Sequence, residues 1–84
     1  RMSIEERVKN FISENILFSD NGYPYYDNDS FLEKGVVDSM NVMEIVAFVE
    51  DTFGVTIDDS DIVPSNFDSI ANITRFIENK KKPS

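Results

Sequence analysis

The chain has 84 residues, 40% of them hydrophobic, with 16 acidic and 8 basic side chains and a net charge of −8. That length predicts one small domain with a modest core and little chain left over for a deep active site. There is no cysteine and no histidine, which removes disulfides, thiol nucleophiles, Cys-type zinc sites and the base of Ser-His-Asp and Cys-His catalysis.

The acidic surface repels phosphate backbones, so nucleic acid is not an expected partner, whereas a basic protein surface would be steered in. No apolar run is long enough to span a membrane and no signal peptide is visible, so a cytoplasmic protein is expected. Arg1, ahead of Met2, takes no part in the pattern.

Ser3 and Glu6 stand at capping-box spacing, and Ile4, Val8, Phe11, Ile12 and Ile16 follow at helical spacing. The first helix is predicted to end near Leu17 or Phe18. Asn21-Gly22 and Pro24 then break the pattern and predict a long loop, with one turn of helix near Phe31 to Glu33. Tyr23, Tyr25 and Tyr26 are expected to fasten this loop to the body. The stretch DSMNVMEIVAFVEDTFG reads as the second main helix, stopped by Gly54. A short connection follows, with one helical turn after Asp58 or Asp59. The last helix is predicted over DSIANITRFIENKKK, capped by Asp68, with Ile70, Ile73, Phe76 and Ile77 as its apolar stripe. Lys80, Lys81 and Lys82 suit the negative end of that helix, and residues 80–84 are taken as a frayed tail. The expected fold is a single all-α domain over 1–84: a small helical bundle of three main helices plus a short helix before the last, with a long first loop.

At about 100° per residue, Val42, Ile45, Val46, Val49 and Phe53 fall on one side of the second helix and form its core face. Met40, Met43, Glu44, Ala47, Glu50 and Asp51 fall on the other. From Gly35 to Thr74 the chain carries eight acids and no base. Exposed methionines among acids describe a docking face, with adaptable apolar contact and charge steering, as well as they describe a solvated surface.

GVVDSM, residues 35–40, places Ser39 directly behind Asp38 at the start of that helix. Three roles are open to this serine. It can cap the helix, as can Asp38. It can be a nucleophile, although no histidine exists to act as its base. It can also be a point of attachment, because a phosphodiester at a helix N-terminus meets the positive end of the macrodipole and free backbone N–H groups. In the last case Asp38 would cap the helix or help bind a metal during transfer.

The residues around Ser39 resemble acyl carrier proteins. The resemblance runs from about Phe31 to Ile77: F-L-x-x-G-x-x-D-S-M, then the helix end E-x-x-F-G-V-x-I, then N-F-D-S-I before the last helix. It implies an acyl-carrier-like bundle that is not itself an enzyme. Ser39 would receive 4′-phosphopantetheine from coenzyme A, with Asp38 beside it and Gly35 permitting the tight approach of the loop. Met40, Met43, Glu44, Ala47, Glu50 and Asp51 match positions presented to partner enzymes. Ile45, Val49, Phe53, Ile57 and Ile73 match positions lining the bundle interior, where some carriers shelter a fatty chain. The implied partners are a phosphopantetheinyl transferase, an acyl- or aminoacyl-loading ligase and downstream synthase or transferase enzymes, met by a monomer. With no thiol in the chain, the arm would supply the thiol that holds cargo as a thioester.

The chain departs from the fatty-acid carrier pattern in Met40, in the bulk of Phe48, in a less acidic second helix and in its long aromatic loop; G-x-x-D-S-M is also similar to D-alanyl and other aminoacyl carriers. Two other readings compete with the carrier. An EF-hand-like calcium loop fails on spacing: from Asp27, Phe31 stands fifth and Leu32 sixth, and from Asp59, Val63 stands fifth and Pro64 sixth. An unmodified helical adaptor that binds a basic partner through the acidic face is the alternative from a different class.

Overall fold

The computed structural model describes residues 2–82. Helix α1 (Ile4–Asn15) starts as its capping box dictates, with the Ser3 hydroxyl accepting from the Glu6 N–H and the Glu6 carboxylate accepting from the Ser3 N–H. It stops earlier than the apolar spacing predicts. The Ile16 and Leu17 N–H groups both donate to the Ile12 carbonyl, and Phe18 turns into the left-handed region at φ 52°. Ile16 and Leu17 still pack on the core from outside the helix, so apolar spacing alone ran past its end.

Helix α2 (Phe31–Lys34) is a single turn, capped by Ser30 and ended by Gly35 at φ 68°. Helix α3 (Asn41–Phe53) ends at Gly54, also at φ 68°, where a Cβ would be strained. A 3₁₀ turn covers Asp59–Asp61, as the sequence predicts, and is followed by α4 (Pro64–Phe67), with Pro64 at its first position. Helix α5 (Ile70–Lys81) completes an all-α bundle, with no strand among the described residues. It runs through Lys80 and Lys81, which are helical rather than frayed, because Lys80 pairs with Asp61 at 3.1 Å and Lys81 reaches the Phe53 carbonyl at 3.5 Å. The remainder of the expected tail, Pro83 and Ser84, lies outside the described residues.

Helix α1 packs on α5 and α3, and α4 packs on α5. Val8 and Ile12 of α1, Ile45, Val46, Val49 and Phe53 of α3, and Ile70, Ile73, Phe76 and Ile77 of α5 meet in one core, closed by Phe31, Val36 and Phe67. Each large apolar side chain buried this way contributes roughly 1.5–3 kcal/mol. Phe11 stacks on Phe48 at 4.2 Å, and Phe48 meets Phe53 edge-on at 5.9 Å, so the bulk of Phe48 is used in packing α1 against α3.

The long loop is held at several points. Lys9 pairs with Asp27 at 2.7 Å, and the Asp27 carbonyl accepts from the Ala71 N–H at 2.9 Å. The Lys9 ammonium holds the Asp27 carboxyl below its ordinary range. Tyr23 packs edge-on against Tyr25 and Phe31. Tyr26, expected to help, does not: it is 82% exposed. The Tyr23 hydroxyl is buried, has no hydrogen-bond partner among the described residues, and is pushed by burial to a pKa of about 12. An unpaired buried hydroxyl costs stability. Tyr23→Phe is therefore expected to leave the urea midpoint unchanged or to raise stability by up to about 1 kcal/mol. A clear loss would mean the hydroxyl is bonded after all.

Candidate functional site

Residues 35–40 leave α2 through Gly35, bury Val36 and arrive exposed at Asp38, Ser39 and Met40. The division of labour between Asp38 and Ser39 follows from their hydrogen bonds. The Asp38 carboxylate accepts from the Met40 N–H at 2.9 Å and the Asn41 N–H at 2.8 Å, and its carbonyl accepts from the Val42 N–H at 3.1 Å. Asp38 is thus the residue that satisfies the start of α3. Among the described residues the side-chain bonds at the start of α3 go to Asp38 and none to the Ser39 hydroxyl, and Ser39 is exposed. The free N–H groups expected beside Ser39 are correspondingly fewer, because Asp38 has taken those of Met40 and Asn41. The positive end of the α3 dipole remains.

Beside Ser39 lies an open groove of about 240 Å³. Leu32 and Val37 contribute to it from α2 and the loop after it, Val42 from α3, and Ile62, Val63 and Phe67 from the segment running into α4, with Asp38, Ser39 and Asp68 as polar lining. Most of these apolar residues carry no periodic signal in the sequence, since they come from three separate stretches that only the fold brings together. The five residues expected to line an interior pocket stand elsewhere. Ile45, Val49 and Ile73 are fully buried and Phe53 is buried in the core, while Ile57 is half-buried against it.

Of the expected partner face, Met40 is 78% and Met43 52% exposed, and Glu44, Ala47 and Asp51 are also open to solvent. Glu50 differs. It is half-buried, and its carboxylate accepts from the Ile57 N–H at 2.9 Å, so part of its capacity fixes the chain after Gly54. Asp68 differs too. The cap of α5 is Ser69, whose hydroxyl accepts from the Asn72 N–H at 3.0 Å, and the Asp68 carboxylate turns away to the start of α2. The acids of the connection are likewise used structurally: the Asp58 N–H, and then the Lys80 ammonium, hold the Asp61 carboxyl below its ordinary range. Among the described residues no three acids converge to hold a metal ion, and no helix is long and apolar enough to cross a membrane.

A small helical bundle with an exposed serine at the mouth of an apolar groove, beside an acidic helix, fits a carrier domain. The chain belongs to the phosphopantetheine attachment site family, whose model matches residues 25–77. Domains of this family are in general non-catalytic carriers of covalently held phosphopantetheine, in keeping with the resemblance to acyl carrier proteins. No curated protein matches the chain. The residues here suit such a group, because Ser39 offers an exposed hydroxyl that no structural duty occupies.

Proposed function

We propose that the chain is a carrier domain that holds an acyl or aminoacyl group as a thioester on a 4′-phosphopantetheine arm attached to Ser39, and presents it to successive partner enzymes. The observation that carries this reading is the capping of α3 by Asp38 alone, which leaves the Ser39 hydroxyl exposed and unengaged. When attached, the arm supplies the thiol that the cysteine-free chain lacks. Asp38 fixes the turn that carries Ser39, and its remaining carboxylate lone pairs are available to a divalent cation during transfer. The groove beside Ser39 offers apolar surface to whatever is tethered there.

The test is intact mass after incubation with coenzyme A, magnesium and a broad-specificity phosphopantetheinyl transferase. A gain of one phosphopantetheine is expected. No gain, with a control carrier modified in parallel, would hand the acidic face to the unmodified adaptor instead.

Docking through that face carries its own expectation. Met40 and Met43 supply apolar contact, and Glu44, Ala47 and Asp51 complete the exposed surface on α3. Glu44→Lys is expected to slow association with the transferase and with a loading ligase severalfold, and to flatten the salt dependence of the association rate. Stopped-flow rates at two ionic strengths read this directly. Identical rates with both enzymes would remove acid steering from the mechanism.

A further inference from the structure

Helix α2 is a single turn, and one turn is not stable on its own. Its first N–H groups need partners, and the structure accounts for each of them. The Phe31 N–H donates to the Asp68 carbonyl at 2.7 Å, and the Leu32 N–H donates to the Asp68 carboxylate at 3.1 Å. The Glu33 N–H donates to the Ser30 hydroxyl at 3.2 Å, and that hydroxyl in turn donates to the second Asp68 oxygen at 2.5 Å. One residue, 38 positions from Ser30 in the chain, therefore orders the whole start of α2.

Nothing local requires a carboxylate at this position, because Ser69 already caps α5. The consequence reaches Ser39 through the backbone. From Phe31, whose carbonyl accepts from the Val36 N–H at 2.9 Å, the chain turns at Gly35 and seats Val36 in the core at 3% exposure. Two residues later Asp38 caps α3 and Ser39 emerges. Leu32, Asp68 and Ser39 line the same groove.

We propose that Asp68 is a positioning residue for the modification of Ser39: by clamping the start of α2 it holds the segment from Val36 to Ser39 in the conformation that a phosphopantetheinyl transferase reads. The proposal rests on Ser39 being the attachment residue. Asp68 acts through α2 and the loop, without contact to the reacting atoms, so its effect falls on recognition of the carrier.

The experiment is steady-state modification of the intact chain by a broad-specificity transferase with coenzyme A and magnesium. Wild type is compared with Asp68→Ala, Asp68→Asn, Ser30→Ala and a stability control, Ile77→Val, in the core of α5. Asp68→Ala is expected to raise KM for the carrier on the order of tenfold, with kcat little changed. Asp68→Asn, which keeps an acceptor for the Leu32 N–H, should recover most of the loss, and Ser30→Ala should lie between. Amide exchange on the same unmodified proteins should show Leu32, Glu33 and Val36 losing protection in Asp68→Ala while α3 keeps its own. Should Asp68→Ala fail to fold, Ser30→Ala and Asp68→Asn carry the comparison. Kinetics no worse than those of Ile77→Val at matched stability, or unchanged exchange at α2, would overturn the proposal. Failure of the wild type itself to gain mass beside a control carrier would instead overturn the attachment reading, and the positioning role with it.

Discussion

Ser39→Ala is expected to give a folded protein that takes up no phosphopantetheine and holds no thioester. The two halves of that result have separate physical origins. The fold should survive because the side chain is exposed and, among the described residues, bonds to nothing that shapes α3; a substitution at such a surface position changes stability by no more than about 0.5 kcal/mol. Function should vanish because the hydroxyl is the atom to which the arm would be joined, and no neighbouring serine stands at the start of α3 to replace it. Asp38→Ala makes the informative contrast. It removes the acceptor for the Met40 and Asn41 N–H groups, and a lost cap costs about 1 kcal/mol. Circular dichroism and urea unfolding of the two variants, with intact mass after transferase treatment, separate a cap from an attachment point. If Ser39→Ala lost stability as Asp38→Ala does and still gained mass, the assignment of roles would be reversed and the attachment reading would fall.

Phe31→Ala is expected to be the most damaging single change to the fold. Phe31 is 1% exposed and meets Tyr23 edge-on at 6.3 Å. It is the apolar anchor of a helix too short to stand without one. Truncating a buried phenylalanine costs about 3–5 kcal/mol through lost transfer energy and the cavity left behind. Small domains have total stabilities toward the lower end of about 5–15 kcal/mol, so the variant should be largely or partly unfolded at moderate urea where the wild type is intact. The loss should also reach the loop at 16–30, because Tyr23 packs on Phe31 and Tyr25 on Tyr23. The midpoint of urea unfolding measures it. A drop worth less than about 1 kcal/mol would mean that α2 is not seated in the core as described.

These two residues, eight apart, show how the carrier is built. Phe31 fastens α2 from below, Asp68 fastens its backbone from the side, and the short segment between α2 and α3 is thereby left with few degrees of freedom before it delivers Ser39 to the surface. Rigid support beneath an exposed hydroxyl suits the carrier role proposed above. The acidic face of α3 lies beside that hydroxyl, where it would orient an approaching basic surface.

Much of this was legible in the residues taken alone. The capping box at Ser3, the stripes of α3 and α5, and the glycine that closes α3 are local signals, set by spacing of three or four residues and by the left-handed turn that glycine adopts without strain. The motif around Ser39 and its place at a helix start are local as well, and so was the carrier reading. The tertiary structure decided what depends on residues distant in sequence. It moved the cap of α5 from Asp68 to Ser69 and sent the Asp68 carboxylate across to α2, since either residue is a competent cap and only the neighbouring backbone decides which is used. It ended α1 at Asn15 although the apolar pattern continues, because Ile16 and Leu17 pack half-buried against the core while the chain leaves the helix through Ile16, its cap. It turned Glu50 from the docking face toward Ile57, left Tyr26 in solvent, and gathered Leu32, Val42, Val63 and Phe67 into one groove beside Ser39. Helix periodicity records which face of a segment is apolar. Which partner that face or a free carboxylate meets is a property of the packed chain, because a hydrogen bond or a groove between distant segments exists only once both have been brought to the same place.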